Sequence, residues 1–207
     1  STPERDAELA AEAGATILWT PDYETIYPNE ITKLSAGELG TKFEGVHRPG
    51  HFDGVLTVVN RLFELVQPRY AIFGEKDFQQ LILITKMAAE LHPDIEIVPA
   101  PTIREISGLA MSSRNVRLST QARTAADVIA QVLRKASENE DTSIARTALE
   151  EISREPLFTL DYAEIIDEET FELASEETEK RRALIAGWID GVRLIDNMAM
   201  KSALVRV

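Results

Sequence analysis

The chain has 207 residues, 44% of them hydrophobic, enough to bury a substantial core in one large domain or two small ones. Its 35 acidic against 22 basic residues leave 13 net negative charges at pH 7, which argues against nucleic acid or anionic membrane as a partner and requires any anionic ligand to be held by a local cluster of cations. Cysteine is absent, excluding disulfides and thiolate chemistry; the three histidines, His47 and His51 among them, are too few for a dedicated zinc site; and with no membrane-length apolar stretch and no signal-peptide pattern, the expected location is the cytoplasm.

Thr2-Pro3 reads as cap and first helical position of a helix running to Ala13 and closed by Gly14. Ala15 to Trp19 reads as a strand, followed by the loop "TPDYETIYPNE" and an irregular stretch ending in "EGVHRPGHFDG". From about Gly54, Val55, Val58, Val59, Leu62, Phe63 and Val66 recur at helical spacing until Pro68. Tyr70 to Phe73 is a predicted strand, Asp77 to Leu91 a helix and "DIEIVPAP" another strand, together a βαβ unit. This alternation predicts a parallel sheet covered by helices. After Pro101 the pattern changes. "TIREISGLAMSSRN" is neither helix nor strand, and helices are predicted over Thr120 to Ser137 and around Ile144, Ala148, Leu149 and Ile152. "TLDYAEII" reads as a strand, "DEETFELASEETEKRR" as an exposed loop or short helix, and the tail as two β-rich runs joined by Asp190-Gly191, a strong hairpin signal. A boundary near Pro101 therefore separates an α/β first half from an α+β second half with antiparallel pairing.

Three stretches carry candidate chemistry. In "FGEKDFQQ", an apolar strand stops at Gly74 and presents Glu75, Lys76, Asp77, Gln79 and Gln80 at the carboxyl end of a sheet, where ligands of open α/β folds bind. Gly74 would let backbone approach a ligand, Lys76 would supply a point charge for phosphate, and the following helix start would add free N–H donors. The competing reading makes Glu75 and Lys76 a solvated loop pair, Asp77 a helix cap and the glutamines water-facing. "SGLAMSSRN", Ser107 to Asn115, offers hydroxyls, backbone N–H groups and the Arg114 guanidinium, the combination triphosphate recognition needs; the alternative is a linker whose serines cap a turn. "HRPGHF" places Arg48 and His51 around a Pro-Gly turn ahead of a helix, and by itself is equally a tight connection.

Taken together and in order, "RPGHFDGV", "FGEKDFQQ" and "GLAMSSRN", with "IYP" at Ile26 to Pro28 and "RLIDN" at Arg193 to Asn197, resemble the pantothenate synthetases, the pantoate and β-alanine ligases. The resemblance implies a Rossmann-like nucleotide- and pantoate-binding domain over residues 1–104, incomplete at its amino terminus, and a smaller α+β lid domain over residues 105–207 with an antiparallel hairpin. It implies ATP-dependent condensation through a pantoyl adenylate, with AMP and pyrophosphate released, a magnesium requirement and a homodimer. Carried over by motif, Gly74, Glu75, Lys76 and Asp77 fall on the ATP-binding turn, Gln80 on the pantoate-binding glutamine and Ile103 on a position whose backbone contacts adenine. Met111, Ser112, Ser113 and Arg114 fall on a flexible phosphate loop. Lys76, Ser112, Ser113 and Arg114 are the expected catalytic group, and no protein metal ligand is expected.

The family's amino-terminal strand and its His-x-Gly-His motif do not occur in these 207 residues. The expectation is that the chain is the larger part of such an enzyme and, by itself, a poor catalyst. Two other readings stand beside it: another adenylating or nucleotidyl-transferring enzyme of the same superfamily, which would not need Gln80 in a substrate pocket, and a non-catalytic nucleotide-binding module.

Overall fold

The computed structural model describes residues 3–28 and 30–201. Helix α1 (Pro3–Glu12) begins on a proline, whose fixed φ and missing N–H suit a first helical turn, and buries none of its residues. The predicted cap, Thr2, lies outside the described residues. The strand predicted over Ala15 to Trp19 does not form. That segment is irregular and leaves Ile17, Leu18 and Trp19 exposed; extended backbone needs a neighbouring ladder, and among the described residues no strand pairs with it. Helix α2 (Tyr23–Ile26) is one turn capped by Asp22, whose carboxylate accepts from the Thr25 N–H at 2.7 Å, and α3 (Glu44–His47) is another single turn.

Helix α4 (His51–Val66) starts ahead of its apolar repeat and turns Phe52, Leu56, Val59 and Phe63 inward. The predicted βαβ unit follows as β1 (Tyr70–Gly74), a 3-10 turn over Glu75–Asp77, α5 (Phe78–Leu91) and β2 (Glu96–Ala100). β1 and β2 pair in parallel, from Tyr70 opposite Glu96 to Gly74 opposite Ala100. Alternation along β1 sends Ala71 and Phe73 into a core shared with Phe63, Ile84 and Met87, while Tyr70 and Ile72 point to the uncovered face.

The second half contains α6 (Thr120–Ser137), capped by the Ser119 hydroxyl, α7 (Thr142–Glu150), capped by Asp141, and an antiparallel sheet of β3 (Phe158–Asp167), β4 (Arg181–Ile189) and β5 (Val192–Ala199) in that order. α6 lies close on the sheet because Ala122, Ala126, Ala130 and Ala136 form much of its buried side, with Ile129 and Leu133 filling the space between. Asp190 and Gly191 both have positive φ, 52° and 71°, the twist that a two-residue hairpin between β4 and β5 needs. The acidic segment after β3 is a loop as expected, except that Phe171 is fully buried between the rings of Phe43 and Phe78 and its last residues, Arg181 and Arg182, open β4 inside the core.

Packing at one sheet position is tight enough to test. A Cβ at Gly187 would stand 2.4 Å from the Phe158 ring and 2.6 Å from the Thr159 carbonyl oxygen. Neither can retreat without moving β3, so Gly187→Ala is expected to destabilise the fold by about 2 kcal/mol and lower the melting temperature by roughly 5 °C. Thermal unfolding followed by circular dichroism measures it, and an unchanged midpoint would show that β3 shifts freely.

Candidate active site

The parallel pair delivers the Glu75–Asp77 turn to its carboxyl end, and the sheet of the second half sets Ile195, Asp196 and Asn197 of β5 opposite it. Between them lies a cleft with about 440 Å³ of empty space, part of it open to solvent. Arg48, His51, Lys76, Asp77 and Gln80 wall it from one side and Tyr162, Asp196 and Asn197 from the other. A second cavity of about 270 Å³ shares Lys76 and Asp196 with the first and is closed by Ser112, Arg114 and Asn115. The ammonium and the guanidinium expected to hold one polyanion, far apart in sequence, thus face a common space.

Burial pushes the Lys76 ammonium below its ordinary 10.5, with Arg114 acting in the same direction and Asp77 and Asp196 opposing it. A partly desolvated cation in a low-dielectric wall attracts phosphate more strongly than one in water. Burial, then Arg48, likewise lower the His51 imidazole below 6.5, which keeps it neutral and able to both donate and accept at physiological pH.

The loop carrying Arg114 is held locally. The Met111 N–H donates to the Ile103 carbonyl at 2.9 Å, the Arg114 N–H to the Ser112 hydroxyl at 3.2 Å, and the Asn115 side-chain amide to the Ala110 carbonyl and to Glu105. Its base is fixed by Arg104, which donates two bonds to the Asp196 carboxylate at 2.7 and 3.0 Å and others to the carbonyls of Gly108 and Asn197.

Of the residues singled out from the sequence, Lys76, Asp77 and Gln80 stand on the cleft wall, and Ser112 and Arg114 meet Lys76 in the second cavity. Ile103, Met111 and Ser113 are exposed and wall neither cavity. Gly74 has ordinary strand backbone with open space where a Cβ would be, so it leaves room rather than supplying an unusual conformation. Glu75 leans toward Arg182, 3.7 Å away, and not into the cavity. Asp77 makes no side-chain cap; the 3-10 turn through Glu75–Asp77 directs its carboxylate away from the first amides of α5. The two glutamines, left open together by the sequence, separate. Gln79 is buried, accepts from the Glu44 N–H and donates to the carbonyls of Leu39 and Lys42, so its polar atoms are spent tying down the chain around α3 although it also borders the cleft; Gln80, which lines the same cleft, makes no such bonds among the described residues.

Sequence reasoning missed Glu44 and Tyr162 altogether and assigned no role to Arg193, Asp196 or Asn197. Arg193 grips the Glu44 carboxylate with bonds of 2.6 and 2.7 Å and Asp161 with one of 2.8 Å, while the Tyr162 hydroxyl donates to Glu44 at 2.9 Å. Burial alone would raise the Glu44 carboxyl; Arg193 and Tyr162 outweigh it and hold it below its ordinary 4.5. Burial also opposes the Arg193 charge, and its two carboxylates more than restore it. The signal for part of this was present in "RLIDN": three polar side chains within a strand whose neighbours are apolar need buried partners.

Comparison with known proteins places this arrangement. Residues 1–199 match the family model described as pantoate-beta-alanine ligase. The chain is 44% identical over 212 residues to the pantothenate synthetase of Rubrobacter xylanophilus, covering 95% of this chain and 73% of that one. It is 42% identical over 209 residues to that of Aquifex aeolicus, covering 96% and 73%. The crystal structure of pantothenate synthetase from Thermus thermophilus superposes with a TM-score of 0.86 at 41% identity, covering 96% of this chain and 74% of the other. A pantoate-beta-alanine ligase from Francisella tularensis, crystallised with beta-gamma ATP and beta-alanine, superposes with a TM-score of 0.75 at 29% identity, covering 98% and 72%. The match across nearly the whole chain, on a fold that brings Lys76, Gln80 and Arg114 around two adjoining cavities that both border Lys76, means that this chain belongs to the pantoate-beta-alanine ligase family.

Proposed function

We propose that the chain uses ATP to join pantoate to β-alanine, giving pantothenate, AMP and pyrophosphate through a pantoyl adenylate. The observation that carries this reading is the cavity shared by Lys76 and Arg114, next to a cleft walled by Gln80, with Lys76 and Asp196 bordering both. A pantoate carboxylate oxygen attacks the α-phosphorus and the bond to pyrophosphate breaks. Lys76 and Arg114 neutralise the charge that grows on the departing oxygens, with the Ser112 hydroxyl beside them and Ser113, outside both cavities here, joining only if the loop moves toward the nucleotide. The β-alanine amine then attacks the acyl carbon, AMP leaves and the amine gives up its proton. The protein's part is to hold reactants in line and keep water from the adenylate.

Gln80 binds pantoate in this reading. Gly74 and Glu75 shape the nucleotide turn, the Ile103 backbone would contact adenine, and Met111 belongs to the phosphate loop. Magnesium fits as a partner of the nucleotide: the described residues contain no group of three or more carboxylates or histidines that would cage a metal, and this ion is usually held by substrate phosphates with one or two carboxylates, here Asp77 on the cleft wall. When bound it neutralises phosphate charge. Residues 1–104 act as the nucleotide and pantoate domain and residues 105–207 as a lid. A homodimer in the cytoplasm, as in the sequence reading, completes the proposal; no described helix is long and apolar enough to cross a membrane.

The test is twofold. Titration calorimetry should show a non-hydrolysable pantoyl adenylate mimic binding more tightly than ATP, and AMP release by the protein should require both pantoate and β-alanine. AMP formed without pantoate, or a mimic that binds no better than ATP, would overturn the reading in favour of another adenylating enzyme or a plain nucleotide-binding module.

A further inference from the structure

The residue with the most exacting surroundings near the nucleotide turn is not on the turn. Asn197, buried near the end of β5, donates from its side-chain amide to the carbonyl oxygens of both Glu75 and Lys76, each at 2.9 Å. Its side-chain oxygen accepts from the Arg182 guanidinium at 2.7 Å. Only this orientation of the amide works, since the opposite one would set its oxygen against two carbonyls and its NH₂ against a cation. Arg182 is in turn immobilised by Glu168 at 2.7 Å and by the face of the Phe78 ring, 3.8 Å from its central carbon. One residue earlier, Asp196 binds Arg104 at the base of the Arg114 loop and contributes to the field at Lys76.

We infer that Asn197 is a positioning residue for ATP: it fixes the backbone that carries Lys76 and, through the adjacent Asp196–Arg104 pair, keeps that ammonium in register with the Arg114 loop. Two short segments, more than twenty residues apart in sequence but sharing a cavity, are thereby referred to one point on a rigid strand. A site held by its own loops would let either cation drift, and a drift of about 1 Å is enough to cost a preorganised site much of its effect. This inference rests on the reading of Lys76 as a phosphate ligand.

The test compares ATP and pantoate binding, by calorimetry, in the chain and in Asn197→Ala and Asn197→Asp, with thermal melting alongside. Aspartate keeps an acceptor for Arg182 but cannot donate to the two carbonyls. If Asn197 merely anchored Arg182, Asn197→Asp would recover both stability and ATP affinity. The inference predicts instead that both variants bind ATP about tenfold more weakly, with a clearly smaller loss for pantoate, whose cleft Asn197 also walls. Amide exchange at Lys76 to Phe78 should rise in the same variants. Should Asn197→Ala not fold, Asn197→Ser, whose hydroxyl reaches one carbonyl, is expected to give an intermediate loss. ATP affinity equal to the parent's in Asn197→Asp, or equal losses for both ligands, would overturn the inference. Failure of the unaltered chain to bind ATP would count against the functional reading itself.

Discussion

Replacing Lys76 with methionine is expected to lower kcat/KM for ATP about 10³-fold while leaving the melting temperature within about 2 °C of the parent. Methionine preserves most of the side-chain volume, so the loss isolates the charge. The ammonium is desolvated, and its pKa is held down chiefly by that burial, so removing it relieves a cost in the free protein. The same removal takes a cation from the cavity where the phosphates would sit. Stability and activity should therefore part company, which a residue needed only for folding would not show. Arg114→Met should act in the same direction. The double variant should lose less than the product of the single losses, because both cations address one polyanion. Steady-state AMP release and ATP calorimetry measure these effects. Near-parental kcat/KM in Lys76→Met would remove the basis for the assignment.

The second large effect concerns stability. Arg193→Met leaves the largely buried Glu44 and Asp161 carboxylates without the guanidinium that pairs both, and is expected to cost about 3–5 kcal/mol, roughly 10 °C in melting temperature. The pH dependence identifies the mechanism. Glu44 is held below its ordinary pKa in the fold, so on acidification the unfolded chain takes up a proton near pH 4.5 while the folded chain does not. The stabilisation is therefore complete above the ordinary glutamate value and is lost as pH falls through the folded value. Arg193 stays charged throughout, since its own pKa is raised. Chemical denaturation at a series of pH values below about 6 should show stability declining in the parent and a shallower decline in Glu44→Gln. Parallel slopes in the two proteins would show that Glu44 is not the group responsible.

Why some elements were legible and others not can be seen residue by residue. The βαβ unit, α6 and the β4–β5 hairpin rest on local signals: apolar spacing over successive turns, Ser119 as a cap, and an Asp-Gly pair able to take positive φ. Ala15 to Trp19 failed because β-propensity is a statement about fit to a neighbouring strand, and none of the described strands lies beside it. Asp77 was a reasonable cap by residue type, yet the 3-10 turn before α5 moves its carboxylate out of reach of the helix amides. Gln79 and Gln80 are identical residues in adjacent positions that both border the cleft, and their difference follows from the roughly 100° that a helix turns per residue: Gln79 is buried with its amide bonded to the chain around Glu44, while Gln80 is only partly buried.

By itself the sequence determined where strands would hand over to helices, where the chain would reverse at Asp190-Gly191, and that cations and amides would collect at the end of β1 in an otherwise acidic protein. Those outcomes depend on interactions within a few residues. Only the tertiary structure decided that Arg193 would meet Glu44, 149 positions away, that Asn197 would hold the backbone of Glu75 and Lys76, and that Arg114 would share a cavity with Lys76. A buried polar group takes whichever partner the fold has also withdrawn from water, and that choice is made by the packing of distant elements rather than by any local pattern.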